Sequence, residues 1–234
     1  MRKAIITGGA RGIGWGIASS MLEAGYAVTV SGLTRAEVDC VPAREHLEAV
    51  QLDVTSDAQV EKLLARFDRL DVLVNCAGTI KRGAEYEIET FKTVIDVNLT
   101  GTMRMCVAAR PALARTTNAA IVNTASMLSY FGGPLVPAYA ASKGGIVQLT
   151  KSLAVAWAGD GIRVNAIAPG WIATELTRGI ASDEARSAAI LARTPLKRWG
   201  EPSDIGGSVV YLCSEAARFV TGTVLPIDGG YAAM

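Results

Sequence analysis

The side chains with the most chemistry to offer lie in one short stretch: Ser126, then Tyr139-Ala140-Ala141-Ser142-Lys143. Residues four apart on a helix project from one face, so the spacing predicts that Tyr139 and Lys143 share a surface. A free tyrosine titrates at about pH 10 and is a poor base at neutral pH. A neighbouring ammonium favours the phenolate and is expected to lower that value. Tyr139 is then suited to pass a proton to a carbonyl oxygen, while the Ser126 hydroxyl orients the same oxygen. Tyr-x-x-x-Lys alone is common in surface helices, so the surrounding elements decide its meaning.

A second site candidate stands at the start of the chain. The apolar run Ala4–Thr7 leads into Thr7-Gly8-Gly9-Ala10-Arg11-Gly12-Ile13-Gly14, and a helix opens there. Glycines allow a tight turn and bring backbone N–H groups against a pyrophosphate, to which the helix N-terminus adds partial positive charge. The spacing is G-x-x-x-G-x-G at Gly8, Gly12 and Gly14, and differs from the G-x-G-x-x-G fingerprint. The next apolar run ends near Ser31 and Gly32, where a carboxylate would grip the adenosine ribose of NAD. Gly32-Leu33-Thr34-Arg35 offers none, so a 2′-phosphate is expected to meet no repulsion, with Arg35 and Arg11 as its partners. That favours NADP, with NAD as the alternative; the plain reading of both arginines is a solvated surface.

These groups must be positioned by a repeating framework. Ala4–Thr7, Ala27–Ser31, Ala49–Asp53, Val72–Asn75, Ala120–Thr124, Arg163–Ile167 and Val224–Ile227 read as strands. Amphipathic segments Ile13–Ala24, Ala58–Phe67, Phe91–Leu113, Ala138–Trp157 and Ser203–Ser214 alternate with them. The rhythm predicts an α/β chain, 1–234 as one doubly wound domain, with a parallel sheet and helices on both faces. Only 169–202 departs from it, as a long insertion before the last helix.

Composition agrees with that class. The 234 residues are 50% hydrophobic but only 6% aromatic, as a buried parallel sheet rich in Ala, Val, Ile and Gly requires. A net charge of +1 without a basic run argues against nucleic acid or a membrane as partner. No secretory leader or membrane-length apolar stretch is read, and Cys40, Cys76, Cys106 and Cys213 are scattered, so a cytoplasmic chain with free thiols is expected. His46 is the only histidine, which leaves no basis for a histidine-based triad or zinc site.

Thr7–Gly14, Asn75-Cys76-Ala77-Gly78, Asp96-Val97-Asn98, Ser126, Tyr139–Lys143, Pro169-Gly170 and Asp228-Gly229-Gly230 together resemble the short-chain dehydrogenase/reductase family over essentially the whole chain. The resemblance implies a seven-stranded parallel Rossmann sheet in the order 3-2-1-4-5-6-7, usually a homotetramer or homodimer. It implies hydride transfer between a nicotinamide and a carbonyl or secondary alcohol, with Tyr139 as general acid/base. Lys143 would bind the nicotinamide ribose and hold the tyrosine's pKa down; Ser126 would polarise the substrate oxygen; Asn98 would hold a relay water. Ile13 would offer its backbone to the pyrophosphate. Asp53 and Val54 would line the adenine pocket, and Asn75, Ala77 and Gly78 the adenosine half. Pro169, Gly170, Ile172 and Thr174 belong to the segment expected to seat the carboxamide.

The sequence departs from the family's pattern at Cys76, where asparagine is usual, at Gly32, and in a short interval between the second and third strands. Met127, Leu128, Tyr130, Phe131, Trp171 and Leu176 are expected to wall the substrate pocket. Lys81 and Arg82 resemble a segment of family members that act on sugar acids, where they would meet a carboxylate. Arg115 and Arg178 offer the alternative of an acidic carrier and a 3-oxoacyl thioester. A catalytically idle, nucleotide-sensing protein of the same fold is the competing class.

Overall fold

The alternation of apolar runs with amphipathic segments yields seven strands: β1 (Lys3–Thr7), β2 (Ala27–Gly32), β3 (Leu47–Gln51), β4 (Val72–Asn75), β5 (Ala119–Thr124), β6 (Ile162–Pro169) and β7 (Val224–Ile227). The computed structural model describes residues 1–233. All pairings are parallel, and the strands form one sheet in the order β3-β2-β1-β4-β5-β6-β7. Register places Thr7 beside Asn75 and Asn75 beside Asn123, so β1, β4 and β5 end level at one edge.

Nine helices lie among the described residues: α1 (Gly12–Glu23), α2 (Arg35–Asp39), α3 (Asp57–Leu64), α4 (Ile88–Ile95), α5 (Gly101–Leu113), α6 (Pro137–Trp157), α7 (Arg178–Ala181), α8 (Glu184–Arg193) and α9 (Pro202–Cys213). Strand residues alternate between two cores. Ile5, Leu73 and Ile121 pack under Leu64, Met105, Leu113 and Trp157 of α3, α5 and α6. Ile6, Val74 and Val122 pack under Ile17, Met21, Ile205 and Val209 of α1 and α9. Burial on both faces explains why β4 and β5 read as apolar runs up to their terminal polar residues, while β6, equally buried, carries Arg163 and Asn165 within it.

Two expectations shift. The third strand runs Leu47–Gln51, two residues earlier than Ala49–Asp53, because Asp53 turns back on itself: its Oδ1 accepts Thr55 N–H at 2.9 Å and Thr55 Oγ1–H at 2.7 Å. β3 is an edge strand and only half-buried, so its pattern is weak. The single helix expected over Phe91–Leu113 divides instead into α4, a widened π-type turn at Asp96–Thr100, and α5. Such turns interrupt the regular ladder and commonly mark functional positions.

The short interval between β2 and β3 holds only the five-residue α2. The connection from β6 to α9 carries α7 and α8, and Ile172 pairs with Gly200 across its base. Among the described residues no helix is long and apolar enough to cross a membrane.

Candidate active site at the carboxyl edge of the sheet

β5 ends at Thr124, and the chain turns immediately through Ser126 into one tight turn at Met127–Ser129. Ser126 Oγ accepts Leu128 N–H at 3.2 Å, and Ser129 Oγ–H donates to the Lys143 carbonyl at 2.7 Å, which pins this turn to α6. From α6, Lys143 is 4% exposed and donates from Nζ to the Thr124 carbonyl at 2.6 Å. The same Nζ lies 5.5 Å from the centroid of the Tyr139 ring. Ser126, Tyr139 and Lys143 therefore meet at one place, as their spacing predicts.

The electrostatics differ from the expectation. Tyr139 is pushed above its ordinary pKa, first by burial; Cys76 and Glu85 add to the rise, while the Ser126 hydroxyl and Arg82 oppose it. The Lys143 ammonium was expected to hold the phenol down, but it is itself lowered to about 8 by burial and is committed to the Thr124 carbonyl. Desolvation outweighs attraction here.

Asn98 sits in the widened turn, fully buried. Its Oδ1 accepts Thr79 N–H at 2.7 Å, and its Nδ2 donates to the Thr79 carbonyl at 2.9 Å and to Ser142 Oγ at 3.1 Å. Gly78 lies on the same floor: a Cβ there would stand 3.3 Å from Asn98 Oδ1 and 3.8 Å from Lys143 Nζ.

The glycine turn fits a dinucleotide. Gly8 has φ of 63°, and a Cβ added to it would fall 2.8 Å from Ala77 Cα. Thr7 Oγ1 accepts the N–H groups of Cys76 and Ala77, each at 3.1 Å, and so ties the turn to the end of β4. α1 has no side-chain cap from Arg11 and no acidic residue in its first turn, which leaves its N–H groups for an anion. Gly12 faces Thr174 across the cleft, 3.6 Å from the place of a Cβ to Thr174 Cγ2. Asn75 is different: its Nδ2 donates to Asn123 Oδ1 at 2.9 Å, and Asn123 in turn donates to Thr150 Oγ1 at 3.0 Å, so its side chain serves a buried network beneath the strand ends.

The end of β2 is not free of carboxylate, contrary to the reading of Gly32. Glu37 of α2 reaches back, accepting Leu33 N–H at 2.7 Å through Oε2 and pairing with Arg11 at 3.0 Å. Thr34 Oγ1 accepts Glu37 N–H at 3.2 Å. Thr34-x-x-Glu37 is a capping-box spacing, the signal by which this residue was legible. Arg11 also pairs with Glu175 at 2.8 Å, and Arg35 with Asp39 at 2.9 Å, so both expected phosphate partners already hold carboxylates.

Over the mouth, Arg82 donates to the Leu176 carbonyl at 3.3 Å, and among the described residues it forms no ion pair. Arg193 of α8, which sequence reasoning passed over, stands between the rings of Phe131 at 4.9 Å and Tyr231 at 4.3 Å and fastens α8 to the turn after Ser126. Arg115 pairs with Asp68 at 2.6 Å on a groove between α3 and α5 that contains none of these residues, and Arg178 is exposed on α7. Among the described residues no cluster could hold a metal ion.

Residues 8–232 match a family model described as enoyl-(acyl carrier protein) reductase, one of the short-chain dehydrogenase/reductases. The chain is 40% identical over 240 residues to 2-dehydro-3-deoxy-D-gluconate 5-dehydrogenase of Pseudoalteromonas atlantica, covering 97% of this chain and 94% of the relative. It is 35% identical to 5-keto-D-gluconate 5-reductase of Escherichia coli K12, over 97% of this chain and 93% of the relative. A gluconate 5-dehydrogenase from Burkholderia cenocepacia, crystallised with NADP and tartrate, superposes with a TM-score of 0.94 at 32% identity, over 100% of this chain and 96% of that one.

Two outcomes follow from this geometry. Lys143→Met abolishes turnover yet raises the melting midpoint at pH 7 by a few degrees, because burial of the ammonium costs about 3 kcal/mol, offset in part by loss of its carbonyl partner. That cost is complete below a folded pKa of about 8 and fades as pH rises to the unfolded value of 10.5, since only the unfolded chain then keeps the proton. Wild type therefore gains stability over that window and the variant does not, which denaturant titration at several pH values measures. Glu37→Gln raises affinity for NADPH relative to NADH by roughly 5-fold, about 1 kcal/mol. An unchanged ratio in fluorescence titrations would reduce Glu37 to a helix cap.

Proposed function

We propose that this chain, which belongs to the short-chain dehydrogenase/reductase family and is an oxidoreductase of it, interconverts a ketone and a secondary alcohol on a sugar acid with NADP. The nicotinamide supplies or accepts the hydride. Tyr139 donates the proton to the carbonyl oxygen in reduction and removes it in oxidation, and Ser126 donates a hydrogen bond to the same oxygen. Burial of the phenol favours its neutral, proton-bearing form, the form that donates in reduction. Lys143 holds the nicotinamide ribose, and Asn98, fixed by Thr79 and Ser142, completes the route by which Tyr139 regains its proton.

The first turn of α1 with Gly8, Arg11, Gly12, Ile13 and Gly14 takes the pyrophosphate. Asp53, Val54, Ala77, Gly78 and the backbone of Asn75 take the adenosine half, and Pro169, Gly170, Ile172 and Thr174 the carboxamide. Crystallised relatives carrying NADP support that dinucleotide over NAD, which Glu37 keeps as its competitor.

One observation carries the substrate class. Arg82 stands at the mouth close enough to lower the Tyr139 pKa, and among the described residues it lacks a carboxylate of its own. A substrate carboxylate on Arg82 would bring the substrate to the side of the site that holds Tyr139. The names of the relatives agree with this class. The enzyme works in the cytoplasm, where Cys40, Cys76, Cys106 and Cys213 stay reduced. It assembles as a homodimer or homotetramer, for which the exposed Val107 of α5 and Val155 of α6 supply apolar surface.

The test compares NADP-linked oxidation of D-gluconate and reduction of 5-keto-D-gluconate with turnover of sorbitol and a 3-oxoacyl thioester. Sugar acids are expected to be preferred, and Arg82→Ala to raise their KM by about 10-fold or more with a smaller change in kcat. Equal KM for the sugar acids in wild type and variant would remove Arg82 as the carboxylate partner.

A further inference from the structure

Glu85 is a carboxylate buried to 1% exposure, and among the described residues it forms no ion pair. Both oxygens are used by backbone. Oε2 accepts Tyr139 N–H at 2.8 Å, and Oε1 accepts Lys81 N–H at 2.9 Å. The first of these is a helix-capping contact made at a distance in sequence. α6 begins with Val136 at the capping position and Pro137 next to it, so the local chain offers no side-chain cap. Glu85 supplies it, where the positive end of the helix dipole favours negative charge.

The second contact gives the cap a purpose beyond the helix. Lys81 N–H begins the loop that carries Arg82, and the loop is held again where Gly83 N–H donates to the Leu135 carbonyl at 2.8 Å and Tyr86 Oη–H to the Pro134 carbonyl at 2.6 Å. One carboxylate thus joins the turn of helix that carries the proton donor to the loop that carries the substrate's cation.

We propose that Glu85 is a positioning residue that fixes the Arg82 loop and the first turn of α6 relative to one another and whose charge acts on the Tyr139 phenol. The carboxylate-recognition half of this rests on the sugar-acid reading above; the effect on the phenol does not. The groups that face Tyr139 are the Cys76 thiol, the Arg82 guanidinium, the Glu85 carboxylate, the Ser126 hydroxyl and, at 5.5 Å from the ring centroid, the Lys143 ammonium. Of these, Glu85 is the one carboxylate, and it adds to the rise in the Tyr139 pKa. A mere structural cap would support α6 without setting the phenol's proton affinity.

The experiment is an ultraviolet tyrosinate titration of wild type and Glu85→Gln, each read against the same protein carrying Tyr139→Phe, with no substrate required. Gln keeps the shape and removes the charge, so the Tyr139 midpoint is expected to fall by about half a pH unit or more, with NADPH affinity within about twofold of wild type. An unchanged midpoint overturns the proposal. Glu85→Asp keeps the charge and withdraws it by one methylene, which covers the case in which Gln does not fold. Its Tyr139 midpoint should stay within about half a unit of wild type while kcat/KM for D-gluconate falls by about 10-fold; wild-type kcat/KM overturns the proposal. Should Arg82→Ala leave sugar-acid KM unchanged while Glu85→Gln still shifts the phenol, the substrate reading fails and the Glu85 effect on Tyr139 stands.

Discussion

Lys143 keeps an ammonium group out of water on a single strand-end carbonyl, that of Thr124, at 2.6 Å. A buried cation with so few partners is held only by a frame that cannot relax around it. That frame is the carboxyl edge of the sheet. β5 supplies the carbonyl, α6 carries the lysine, the Ser126 turn is tied to the lysine's own backbone, and Asn98 locks the floor through Thr79 and Ser142. The widened turn between α4 and α5 brings Asn98 into this frame. Stability is given up at Lys143, and the return is an ammonium held 5.5 Å from the centroid of the Tyr139 ring.

Charged side chains meet beside the N-terminus of α1. Arg11 lies between Glu37 of α2 and Glu175 in the connection from β6 to α7, with contacts of 3.0 and 2.8 Å. An anion arriving at the α1 N-terminus enters a place where one arginine already serves two carboxylates. Arg193, between Phe131 and Tyr231, fastens α8 to the turn after Ser126.

The central strands were legible because β1, β4 and β5 are buried on both faces and leave short apolar runs, and β6 keeps Val, Ala and Ile around its two buried polar residues. The edge strand β3 was misplaced by two residues, since half-burial leaves little pattern and Asp53 forms a turn of its own. That Tyr139 and Lys143 share a helix face was legible from their spacing, and their joining Ser126 in one site from the motifs together. The sign of the Tyr139 shift was not, because spacing reports proximity and says nothing of desolvation. Glu37 had a local signal in its capping-box spacing with Thr34, which the reading of Gly32 overlooked. Glu85 had no such signal: its partner Tyr139 N–H lies far along the chain, and only the fold brings them to 2.8 Å.

The most direct measurement is a crystal structure of this chain with NADP and D-gluconate. The account predicts the reacting hydroxyl within hydrogen-bond distance of Tyr139 Oη and Ser126 Oγ, with the substrate carboxylate on Arg82. A gluconate whose carboxylate faces Tyr139, or that lies away from the carboxyl edge of the sheet, would contradict it.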